Sequence, residues 1–169
     1  MVLCVGGPLS HLRTEAGRKK AIKELVRVAK PGAPIFISVM ARPAVLNLCV
    51  KDFKKYIKSY AYKNEQEFWN ETKILTHLGD DNWWCSCSYA HFFWPSELKD
   101  LVLKTAKNTK LLHQVSLEWL GQNTHAEFNE IAKNKRQYKS WLDLHYSICE
   151  HPDMLSLSAH IMIVIQKKK

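Results

Sequence analysis

Residues 1–40 constrain the fold more than any other stretch. Four apolar residues, Val2, Leu3, Cys4 and Val5, run straight into Gly6-Gly7-Pro8. An apolar run without polar alternation, closed by glycines, is what a strand buried on both faces looks like. Residues 14–30 then place Ile22, Leu25, Val26 and Ala29 at helical spacing, with Arg18, Lys19, Lys20 and Lys23 mostly on the other side. Thr14 is the expected N-cap, and Arg27 and Lys30 put positive charge in the last turn, where the helix dipole favours it. Pro31-Gly32 stops the helix. A second apolar run, residues 34–39, follows. Strand, amphipathic helix and strand in this order predict a βαβ unit with parallel strands and a right-handed crossover.

The remainder divides into a helical stretch and a second strand-bearing stretch. Residues 41–76 read as helices, with Phe53, Tyr56, Ile57 and Tyr60 in one stripe among Lys51, Lys54, Lys55 and Lys58. Residues 79–82 make a turn, and residues 83–94 are dense in aromatics. Pro95 suits the first position of a helix that carries Leu98, Leu101 and Val102 inward. Residues 110–120 predict a strand, residues 122–150 one long and mostly polar helix ended by Pro152, and residues 158–166 the clearest strand of the chain.

Composition excludes several classes. Of 169 residues, 46% are hydrophobic, too many for a disordered chain. No run approaches the ~18 apolar residues that cross a bilayer, and the N-terminus lacks the basic region of a secretion signal. The five cysteines, Cys4, Cys49, Cys85, Cys87 and Cys149, are odd in number and scattered, which predicts reduced thiols in a cytoplasmic protein. A zinc site from Cys85, Cys87, Cys149, His145 and His151 is disfavoured, because Cys-x-Cys is not a usual zinc spacing. The net charge of +9 leaves two readings open: a solubilising surface, or a non-catalytic basic module that binds RNA or an acidic partner.

Four segments, in order, carry a resemblance. Gly6-Gly7-Pro8-Leu9-Ser10-His11 follows the first strand. Arg27, Val28, Lys30, Pro31 and Gly32 close the first helix. His91-Phe92-Phe93-Trp94-Pro95-Ser96-Glu97-Leu98 leads into the next, and residues 158–167 form the last strand. This order resembles the second half of the class I S-adenosylmethionine-dependent methyltransferases. The resemblance implies an α/β fold: a partial Rossmann-like sheet holding strands 4-5-7-6 of a seven-stranded sheet, the last antiparallel, with a helical cap insertion. It divides the chain into core residues 1–40, cap and substrate insertion 41–84, and core residues 85–169. The family's Gly-x-Gly loop, first strand and second-strand acid have no counterpart here. About 90–100 residues are then expected upstream, with a truncation or an internal start before Met1. Trp94 stands where the family often has a capping Thr.

The same resemblance implies that Val5, Gly6, Gly7, Pro8 and Leu9 line S-adenosylmethionine, and that His11 is the catalytic residue. His11, Tyr89 and His91 would contact the methyl acceptor, a small molecule or something larger. From the residues alone, the two glycines serve equally as a tight strand-to-helix turn. His11 serves equally as a helix cap or as a base for an attacking hydroxyl or amine. The aromatic cluster reads as core for Trp83, Phe92 and Phe93. No metal or membrane is expected, and nucleic acid is possible without being favoured. An unpaired edge at residues 2–5 predicts either a missing N-terminal segment or self-association.

Overall fold

The computed structural model describes residues 1–43, 90–118 and 125–169. The cap stretch 44–84, Tyr89, and the cysteines Cys49, Cys85 and Cys87 lie outside them. In chain order the elements are β1 (Val2–Cys4), α1 (Glu15–Val28), β2 (Pro34–Met40), α2 (Pro95–Thr105), β3 (Thr109–Ser116), α3 (His125–Lys133), α4 (Lys135–Ile148), α5 (Pro152–Leu155) and β4 (His160–Lys167).

The opening unit forms as its pattern predicts. Thr14 caps α1 by accepting the Gly17 N–H at 3.0 Å, and β1 lies parallel to β2 with Val2 opposite Ile35 and Cys4 opposite Ile37. Between β1 and α1 the chain makes a short 3-10 turn, Pro8–His11, which the sequence reading treated as plain loop.

The four strands form one mixed sheet in the order β1-β2-β4-β3 among the described residues. The last strand, β4, is antiparallel to both neighbours, with Ile37 opposite Ile163 and Ile165 opposite Ile35 and Leu111. The architecture is therefore α/β with a mixed sheet, compatible with part of a Rossmann-like fold. Alternation gives the sheet two faces. Ile35, Ile37, Val39, Ile161, Ile163 and Ile165 point to one face and are all fully buried beneath α1 and α2, against Ile22, Leu98 and Val102. Phe36, Met162, Val164 and Val115 share the other face, where His145 of α4 and Cys149 at its C-cap line a groove against them.

Two expectations are corrected. The single helix over 122–150 is two helices, broken at Asn134, whose side chain accepts the N–H groups of Arg136 and Gln137 at 3.0 and 3.2 Å and so starts α4 anew. The apolar period runs on across the break, so the cap overrides it. Pro152 does not merely end that helix; it opens α5 at the first position, where its missing N–H costs nothing. Among the described residues, no helix is long and apolar enough to cross a membrane.

Candidate functional site

The carboxyl ends of β1 and β2 meet the segment 90–94, and hydrogen bonds knit them together. The Gly6 N–H donates to Ser38 Oγ at 2.9 Å, and the Met40 N–H to Ser10 Oγ at 3.1 Å. Segment 90–94 runs alongside: the His91 N–H donates to Ser10 O at 2.7 Å, Phe93 N–H to Met40 O at 2.9 Å, and Arg42 N–H to Phe93 O at 2.9 Å. In open α/β sheets, ligands bind outside the carboxyl ends of the strands.

Gly6 and Gly7 both adopt left-handed backbone, at φ 85° and 81°. Space does not require glycine there: a Cβ would meet nothing within 4 Å at Gly6 and only Met40 Cγ at 3.7 Å at Gly7. The conformation does, because L side chains rarely tolerate it. The bend turns the chain sharply off the sheet and leaves Val5, Gly6 and Pro8 at the surface, with Val5 52% exposed. Leu9 is 1% exposed and its side chain belongs to the core, so it can offer a ligand only backbone. His11, at the end of the 3-10 turn, is exposed. Four of the expected cofactor and catalytic residues, Val5, Gly6, Pro8 and His11, thus form a surface rim around Gly7 and Leu9, which are buried.

His91 joins this rim by its backbone, one residue from His11 across the Ser10 hydrogen bond. Its imidazole turns away. It is 6% exposed, stands edge-on to Phe93 with ring centres 4.5 Å apart, and bonds through Nε2 to Glu97 Oε1 at 2.5 Å. Tyr89, its expected companion, lies outside the described residues.

Glu97 is the hub that sequence reading missed. Its Oε2 accepts the Trp94 N–H at 3.2 Å and faces Arg42 Nη2 at 3.4 Å. Arg42 in turn donates Nε–H to Phe92 O at 2.9 Å and lies over the Trp94 ring at 5.3 Å. Burial alone would raise the Glu97 carboxyl. The His91 hydrogen bond and charge, the Trp94 N–H and Arg42 outweigh it and hold the group below its ordinary value. Burial likewise lowers Arg42, against the pull of Glu97. The signal for Glu97 was visible: it is the third residue of a helix opened by Pro95, where a carboxylate reaches back to the cap N–H. Trp94 has no acceptor with which to reciprocate, so half of that arrangement is present.

Beside this cluster, between α1 and α2, is a cleft of about 430 Å³ lined by Glu15, Arg18, Lys19, His91, Glu97 and Asp100 among others. Arg18 is 3% exposed and donates Nη1–H to Leu12 O at 2.9 Å, bracing the chain between the 3-10 turn and α1. The diglycine bend does not line this cleft. Among the described residues, no group of three His, Cys, Asp or Glu side chains is placed to hold a metal ion. Cys149 and His145 are both buried, and burial raises the one thiol and lowers the other imidazole, with Glu150 adding to the rise. No family model matches this chain, and no curated protein matches it at a significant level.

Proposed function

We propose that the chain is a methyl-transferring α/β protein, or part of one, that holds S-adenosylmethionine against the tip of β1. The observation that carries the reading is the strand order. An antiparallel last strand lies between β2 and β3, and a parallel β1 ends in two left-handed glycines. That is the order the sequence resemblance implies for strands 4-5-7-6.

When bound, the cofactor supplies a methyl group on a charged sulfonium. The residues of the chain do the rest. The exposed residues Val5, Gly6 and Pro8 give a bent rim for the adenosyl portion, with Gly7 and Leu9 buried beneath it. The Gly6 N–H is held by Ser38, so this rim is shaped by the sheet and does not donate that proton to a ligand. His11 stands on the rim, where it orients an acceptor or takes its proton. Much of the work in an in-line displacement is positioning. The Glu97 hub contributes by fixing segment 90–94, whose His91 N–H is bonded to Ser10 O, beside the rim. The sequence holds no Gly-x-Gly loop, so the affinity of this chain alone is weak. Free thiols at half-buried Cys4 and buried Cys149, both raised above the ordinary thiol value by burial, suit a reducing, cytoplasmic setting.

Photo-crosslinking with radiolabelled S-adenosylmethionine tests the reading. Label is expected on the tryptic peptide ending at Arg13, competed by excess S-adenosylhomocysteine. Label spread over the chain, or unaffected by the competitor, contradicts it.

A further inference from the structure

The end of the sheet opposite the proposed site gathers cations that are scattered in the sequence. Residues 29–34, 105–110 and 166–169 carry six lysines, Lys30, Lys107, Lys110, Lys167, Lys168 and Lys169, and no Asp or Glu side chain. The fold brings the three segments together by backbone hydrogen bonds. Gly32 N–H donates to Lys167 O at 2.9 Å, Lys167 N–H to Ala33 O at 3.2 Å, and Lys168 N–H to Asn108 O at 3.0 Å. Lys110 sits opposite Gln166 in the β3–β4 ladder. Lys167 turns its ammonium inward and caps α1, donating to Ala29 O at 2.9 Å. The other five ammonium groups are on exposed residues, and none forms an ion pair among the described residues. The nearest described carboxylate on α1, Glu24, is already held by Arg27 at 2.7 Å.

Some lysines elsewhere are paired within their own helices. Lys104, Lys133 and Lys139 each have a carboxylate of their own, Asp100, Glu130 and Asp143, at 2.6–2.9 Å. Five unpaired like charges held on one end repel one another, and an anion relieves that repulsion.

We infer that this basal lysine cluster docks the phosphodiester backbone of a double-stranded nucleic acid. Strands in a sheet stand about 4.8 Å apart, so lysines borne by α1, β3, β4 and their loops spread along a rim of roughly 10–20 Å. A duplex offers a charge per about 1.7 Å of axis, enough to neutralise all five at once. None of the three segments carries an aromatic residue, so the cluster lacks the stacking platform that single strands need and the anchor that a protein partner needs. Val28 is the exposed apolar side chain beside it, too little for insertion into a lipid surface.

Fluorescence anisotropy with a labelled 20-base-pair duplex tests the inference on the full chain. Five phosphate contacts predict a salt slope of about −4.5, so affinity falls roughly 500-fold between 50 and 200 mM salt. The triple variant Lys107→Gln, Lys110→Gln, Lys168→Gln is expected to bind at least tenfold more weakly, with the slope reduced by about 2.7. The triple variant Lys104→Gln, Lys133→Gln, Lys139→Gln removes the same charge from paired sites and is expected to bind as the parent does. RNA and DNA duplexes of one sequence are expected to bind within a few-fold of each other. The inference is overturned by equal loss in both triple variants, by binding confined to single strands, by no duplex binding at 50 mM salt, or by capture on phosphatidylserine vesicles without duplex binding.

Discussion

The two faces of the sheet are built from the same strands and fare very differently. Toward α1 and α2, every residue of the Ile35, Ile37, Val39, Ile161, Ile163, Ile165 set is fully buried. On the reverse, Leu3 is 56% exposed and Phe36 and Met162 are half-buried, with Val164 alone of the β4 residues there buried, beside the groove lined by His145 and Cys149. The difference teaches where the stability of this chain resides and where it has room for a partner. One face is a finished core. The other, together with β1, which is the edge strand of the sheet among the described residues, presents apolar side chains at a sheet edge, the combination that recruits another strand.

The sharpest way to break this comparison is to truncate matched residues on the two faces. Ile37→Ala is expected to cost about 2–5 kcal/mol in urea unfolding, because it leaves a cavity in a closed layer. Leu3→Ala is expected to change stability by less than about 0.5 kcal/mol. Similar losses at both positions would mean that the second face is as closed as the first.

The polar hub at the carboxyl ends comes next in size. Glu97→Gln removes the charge that holds His91, Arg42 and the Trp94 N–H, and is expected to cost about 1.5–3 kcal/mol in thermal unfolding. The folded-state value of this carboxyl is depressed, so its contribution is present above about pH 4.3 and is lost as pH falls through the lower folded value. The difference between parent and variant should therefore shrink on acidification; a difference that stays constant down to pH 3 would remove the charge from the explanation.

A third change addresses the edge. Leu3→Lys puts a charge on the exposed apolar strand and is expected to lower self-association in analytical ultracentrifugation while leaving the melting temperature within a few degrees. Unchanged association would place any contact between copies elsewhere. The smallest effect concerns β4. The Glu118 hydrogen bonds to His160 Nδ1, at 2.9 Å, raise the imidazole above its ordinary value against the effect of burial. That contribution is full below about pH 6.5 and is lost as pH rises through the folded value. His160→Gln should flatten a slight fall in stability over that window, and an identical slope in the variant would contradict the assignment.

Sequence reading succeeded where structure is decided locally. The apolar runs at residues 2–5 and 34–39, the Thr14 cap and the Pro31-Gly32 stop each carry their own signal, and the parallel pairing of β1 with β2 follows from their strand-helix-strand order. It failed where a local cap competes with a continuing apolar period, as at Asn134. It also failed where residues far apart converge. Arg42 reaches Glu97 across 55 positions, and Lys110 reaches the strand that carries Lys167 only through the β3–β4 ladder. Nothing in either segment alone announces the contact. The geometry of the candidate site was legible in part: the turn at Gly6 and Gly7 follows from its glycines, whereas the pairing of the His91 N–H with Ser10 O does not. That the His91 imidazole points to a carboxylate, away from the rim, needed the tertiary structure.

The central claim is that the tip of β1 is where the cofactor rests. Amide chemical-shift mapping with S-adenosylhomocysteine, carried to millimolar concentration to reach a weak site, measures this most directly. The account predicts saturable shifts at the amides of Val5, Gly6, Gly7, Ser10 and His11, with those of β3 and α4 unmoved. Saturable shifts centred on the cleft between α1 and α2 or on the basal lysines, with the diglycine bend silent, would contradict it, and so would no shift anywhere.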